Sequence, residues 1–94
     1  MEQLPSVEML EAGHTFPGKY MFKVIGRSSD GFLARAVAAV REEMESEVDP
    51  PFRIRCTPGG RHLAVTLEPE AETAEQVLRV YRRLLKLSGL VLLL

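Results

Sequence analysis

The stretch FRIRCTPGGRHLAVTL, residues 52–67, limits what this chain can fold into more than any other. Two runs of alternating character flank the turn PGGR, the pattern of a β-hairpin. With a four-residue loop at 58–61, Thr57 faces His62, Arg55 faces Ala64 and Arg53 faces Thr66. On the opposite face Cys56 meets Leu63, Ile54 meets Val65 and Phe52 meets Leu67. The second set is apolar throughout and the first is polar or small, so a slip of one residue would scramble both. The hairpin therefore implies a sheet with one covered face and one open face. Cys56 is expected on the covered face and His62 on the open one.

Elements on either side complete the pattern. In KYMFKVIG, residues 19–26, Tyr20, Phe22 and Val24 alternate against Met21, Lys23 and Ile25, which reads as a first strand. From Asp30 the period lengthens: Leu33, Ala36, Val37, Val40 and Met44 form one helical stripe, with Arg35, Arg41, Glu42, Glu45 and Glu47 on other faces. VDPP at 48–51 closes that helical region, because a proline disfavours helical geometry in the residue before it. Beyond the hairpin the chain leaves the strand at Pro69, and Thr73 with Gln76 fits a capping box. Val77, Val80, Tyr81, Leu84 and Leu85 give the second stripe, Gly89 ends it, and LVLLL is the last strand.

The order is strand, helix, strand, strand, helix, strand. An α+β, ferredoxin-like βαββαβ sandwich satisfies it, with two helices on one face of a four-stranded antiparallel sheet. Right-handed crossovers put the first and third strands in the centre and the second and fourth at the edges. Residues 19–94 form this domain and 1–18 an N-terminal appendage. There Ser6 is placed to cap a short helix through Leu10 that ends at Gly13. Leu4, Met9, Leu10 and Phe16 give the appendage enough apolar surface to dock, with a mobile arm as the alternative.

Composition narrows the function. Ninety-four residues support a single core. A net charge of −1 gives no overall attraction to nucleic acid or to an anionic membrane. The apolar run LVLLL has five residues, where a membrane span needs about 20. A single cysteine, Cys56, excludes an internal disulfide framework and suits a reducing compartment. The acidic MEQLPSVEML start does not read as a secretory signal. A cytoplasmic protein that does not enter the membrane is expected.

FPGKYMFKVIG at 16–26, then an apolar-striped helix, a basic second strand and a helix carrying Tyr81, Leu84 and Leu85, is similar to the YbeD-like family of small bacterial proteins. The resemblance covers residues 16–94. It implies an ACT-like fold, that of ACT regulatory domains, in a cytoplasmic protein, and it carries over no catalytic residue. ACT domains often open their first helix with Asp-x-Pro-Gly-x-Leu. Here Gly31, Phe32 and Leu33 match the end of that pattern, while Ser28 stands in place of the Asp and Asp30 in place of the Pro. That departure weighs against amino-acid binding of the ACT type.

Two regions are candidates for contact with something else. In VIGRSSDGFLARAV, Gly26, Arg27, Ser28, Ser29 and Gly31 could receive an amino acid or another small carboxylate at a helix N-terminus. The competing structural reading has Ser29 or Asp30 capping the helix while the glycines serve the turn. At the other end, Leu90, Val91, Leu92, Leu93 and Leu94 are apolar on both faces of a strand predicted to lie at an edge. Such an edge calls for cover by the appendage, a second copy or a protein partner. Lys23, Arg53 and Arg55 extend this surface onto the open sheet face. That face lacks the aromatic residues on which RNA-reading sheets stack bases, so nucleic acid is disfavoured.

The remaining polar residues read as structural. His14, His62 and Cys56 have neither the spacing of a metal site nor that of a nucleophile–base pair. Arg79, Arg82, Arg83 and Lys86 complement the C-terminal end of the second helix, and Glu75 with Arg79 suits an i,i+4 pair. The sequence points to a non-enzymatic regulatory domain without a metal or cofactor, acting as a homo-oligomer or on a protein partner. A small-ligand sensor is the alternative, and RNA binding a weaker one.

Overall fold

A computed structural model describes residues 4–94. The chain forms α1 (Val7–Gly13), β1 (Gly18–Lys19), β2 (Phe22–Arg27), α2 (Phe32–Glu43), β3 (Phe52–Cys56), β4 (His62–Leu67), β5 (Glu70–Ala71), α3 (Ala74–Leu85) and β6 (Leu90–Leu93). The main sheet is antiparallel with strand order β3-β4-β2-β6, so the first and third long strands are central, as the sequence requires. This is an α+β fold of ferredoxin-like, ACT-compatible architecture. The hairpin register is the one read from the sequence, from Phe52↔Leu67 through Ile54↔Val65 to Cys56↔Leu63. Its turn places Gly59 at φ 89° and Gly60 at φ 73°, a left-handed pair that only glycine adopts without strain.

The core lies between the helices and one face of the two central strands. Phe22 and Val24 of β2 and Leu63, Val65 and Leu67 of β4 are buried, and their neighbours in sequence turn to the open side. Ala36, Val37 and Val40 of α2 and Val77, Val80, Tyr81 and Leu84 of α3 cover them. The phenol of Tyr81 lies 2.9 Å from that of Tyr20, both buried. Burial, and then this hydrogen bond, hold the Tyr81 hydroxyl well above the usual phenol range.

The first strand is shorter than its alternation implies. Its run divides at Tyr20 and Met21: β1 pairs with β5 in a separate two-stranded sheet, while β2 pairs with β4 and β6. The cause is Pro69. Its carbonyl accepts the Tyr20 N–H at 3.0 Å, but proline has no N–H to return, so the ladder breaks there.

Both flanking helices follow local rules. The Ser6 hydroxyl accepts the Met9 N–H at 3.1 Å and starts α1. That helix packs on α3, burying Leu10 and leaving Met9 exposed. Thr73 caps α3 by accepting the Gln76 N–H at 3.1 Å, an interaction worth about 1 kcal/mol. The Gln76 side chain reaches back to the Glu72 N–H at 2.7 Å rather than to that of the capping residue. Arg79 does not form the anticipated pair with Glu75. It approaches Glu43 at 3.9 Å, and Arg83 bonds to Glu42 and Glu43, so α3 is tied to α2 across the helix layer.

Candidate interaction surface

The loop after β2 is a joint between three turns. Gly26 lies beneath the ring of Phe32, and a Cβ there would fall 2.3 Å from a ring carbon. Arg27 donates its N–H to the Gly89 carbonyl at 2.9 Å. Ser28 is held to the hairpin turn twice, through its N–H to the Arg61 carbonyl and its hydroxyl to the Gly60 carbonyl. Ser29 is exposed. The expectation that Ser29 or Asp30 caps the helix is not met: Gly31 is the N-cap, at φ 76°, and no side chain caps it. Asp30 is itself left-handed at φ 63° and stands one residue before the N-cap. Its carbonyl accepts from Arg35 instead, whose other terminal nitrogen donates to the Ser88 carbonyl at 2.8 Å. Sequence alternation gave no sign of Arg35, because its partner lies 53 residues away.

The open face of the sheet carries a different chemistry. Lys23, Ile25, Arg53, Arg55, Ala64, Thr66 and Leu94 line a shallow depression of about 440 Å³. Ala64 and Thr66 form a low centre, and the longer cationic side chains stand around it. Arg53 reaches Glu68 at 3.6 Å. Among the described residues Lys23 and Arg55 make no ion pair. His62 lies half-buried on this face opposite Arg27.

β6 borders the depression. Among the described residues it pairs with β2 alone, through Val24↔Leu93, Ile25↔Leu92 and, after a bulge, Gly26↔Leu90. Leu90 and Leu93 turn towards the core, while Val91 and Leu92 remain 54% and 47% exposed and Leu94 57%. The Leu94 N–H donates to the Lys23 carbonyl at 2.9 Å. In an antiparallel ladder these inward bonds alternate, so the backbone groups of Leu93 point away from the sheet, and Val91 is the extra residue of the bulge. Among the described residues the packing partner of α1 is α3, away from this edge.

The opposite edge corrects one expectation. Phe52, Ile54 and Cys56 do lie on the helix side, yet all of β3 is exposed, with Phe52 at 42% and Ile54 at 51%. The helix layer stops short, since the sheet partner of α2 is β4. Cys56 is therefore exposed rather than covered. Among the described residues no cluster of three or more His, Cys, Asp or Glu side chains is arranged to hold a metal ion. No helix in them is long and apolar enough to cross a membrane.

Comparison with known proteins agrees with the fold's sequence signature. Residues 11–94 match the family model described as "Protein of unknown function (DUF493)". The chain belongs to this family. It is also 30% identical over 74 residues to a UPF0250 protein of Shewanella piezotolerans (strain WP3 / JCM 13877), covering 79% of this chain and 82% of that one. Both descriptions refer to the YbeD-like family of small bacterial proteins. The match begins at Glu11, inside α1, so the family's shared region takes in the end of that helix as well as the sandwich.

Proposed function

We propose that this chain is a non-catalytic, cytoplasmic binding domain of regulatory type, and that it works by pairing with a second copy of itself along β6. One observation carries the reading: among the described residues β6 is an edge strand with an outward-facing backbone at Leu93, exposed apolar side chains and no charge. Natural edge strands are normally blunted by charge, proline or cover, and among the described residues β6 has none of these. Antiparallel pairing about a twofold axis would join two four-stranded sheets and bring two basic open faces side by side. The small-ligand reading of the loop at 26–31 draws less support, because Gly26 seats a ring and Arg27 and Ser28 are bonded to neighbouring turns.

Light scattering tests this directly. The whole chain should run at twice its mass, and a form lacking Leu92–Leu94 at once its mass. A whole chain that stays monomeric at every concentration overturns the proposal.

A further inference from the structure

A second surface faces a different kind of partner. The Thr57 N–H donates to the His62 carbonyl and the Glu68 N–H to the Pro51 carbonyl, so odd-numbered positions of β3 bond inward to β4. By alternation the backbone groups of Phe52, Ile54 and Cys56 point out from the sheet. Their side chains overhang the helix side, and a trough of about 290 Å³ runs between β3 and α2, lined by Leu33, Ala34, Val37, Arg41, Asp49 and Phe52. Arg41 and Asp49 neutralise one another within it at 2.7 Å. On the other side of the same strand stand Arg53 and Arg55, both exposed.

From this geometry we infer that β3 accepts a fifth strand from another protein, a segment in which apolar and acidic residues alternate. Strand addition would satisfy the outward backbone groups. The two faces then dictate the sequence of the guest. Residues beside Phe52, Ile54 and Cys56 must be apolar, to cover the overhang and enter the trough. Those beside Arg53 and Arg55 must be acidic, since directly opposed charges of opposite sign stabilise a strand pair and like charges destabilise it. The complementary pattern is apolar, acidic, apolar, acidic, apolar.

Among the described residues the long strands of this chain do not supply that guest. Pairing β3 with its own copy about Ile54 sets Arg53 against the second copy's Arg55. Among the described residues, β2, β3, β4 and β6 hold no acidic residue at all. The guest strand therefore comes from a different protein, and its docking is independent of β6.

The test is titration of isotope-labelled protein with a synthetic peptide of alternating Val and Asp, alongside peptides with Asn or Lys in place of Asp. Saturable shifts and slowed amide exchange should map to Phe52, Ile54 and Cys56. Affinity should fall at least tenfold with the Asn peptide and weaken with salt. The double variant Arg53→Glu, Arg55→Glu should prefer the Lys peptide, a reversal that an unfolded protein could not give. Binding should persist in a Leu92→Lys variant. Equal affinity for the Asp and Asn peptides, shifts confined to Val91–Leu93, or no binding at millimolar peptide each overturn the inference.

Discussion

The two edges of the main sheet are nearly alike in exposure and opposite in chemistry. Ile54 at the centre of β3 is 51% exposed and Leu92 in β6 is 47% exposed, so accessible apolar area does not distinguish them. Charge does. β3 carries an arginine on either side of Ile54, whereas β6 and its last neighbour Leu94 carry none. An edge can meet its own copy only if twofold pairing sets no like charges against each other. By that criterion β6 suits the self-association proposed for it, and β3, paired about Ile54, suits the proposed acidic guest better than its own copy.

Exchanging the character of the edges should produce the largest effect. Leu92→Lys puts a charge on β6 facing its symmetry mate and should weaken self-association a hundredfold or more, about 3 kcal/mol. Ile54→Lys should leave the mass in sedimentation equilibrium unchanged. Equal responses from both variants would erase the distinction between the edges.

A smaller effect reaches β6 from beneath. Gly26 pairs with Leu90 where the ladder shifts register, and its Cα side is filled by Phe32. Gly26→Ala forces that ring to move and should cost roughly 1–3 kcal/mol. Thermal unfolding should then fall by about 4–8 °C for each kcal/mol lost. Amide exchange should accelerate in β6 before it does in the β3–β4 hairpin. Uniform acceleration would mean that the edges are not separately supported.

The smallest effect serves as a control on the helix layer, away from both edges. Hydrogen bonding from Arg83, reinforced by its charge, holds the Glu42 carboxyl below its ordinary value of 4.5. The stability this gives is present above the unfolded value. It is lost as pH falls through the lowered folded value. Glu42→Gln should therefore flatten the acid limb of a stability–pH curve below about pH 4.5, with the oligomeric mass at neutral pH unchanged. A change in mass would show that the ion pairs between α2 and α3 also hold the β6 contact.

Much of this architecture was legible in residue order, and particular residues show where legibility ends. The hairpin register followed from a period of two and a glycine turn, both local properties. The central position of β2 and β4 followed from crossover handedness. Exposure of Phe52, Ile54 and Cys56 was not legible, because alternation assigns side chains to a face without saying whether a helix reaches that far. The N-terminus of α2 was misread for a related reason. Asp30 and Ser29 have capping chemistry, but a left-handed backbone and the distant Ser88 carbonyl, both served by Arg35, set the turn. The break at Tyr20 was encoded in a proline 49 positions later, visible only once the two segments lie side by side. Of the candidate surface, the apolar tail and the basic open face were evident, and the overhang beyond α2 was not.

Phe32 resting on Gly26 also sets a rule of substitution. The two positions share a single fixed volume, six residues apart in sequence and in contact in space. A chain that gains a methyl group at 26 either loses carbons at 32 or displaces the ring and gives up stability. Among relatives, the two sites should therefore drift only as a pair, each change of size at one answered at the other.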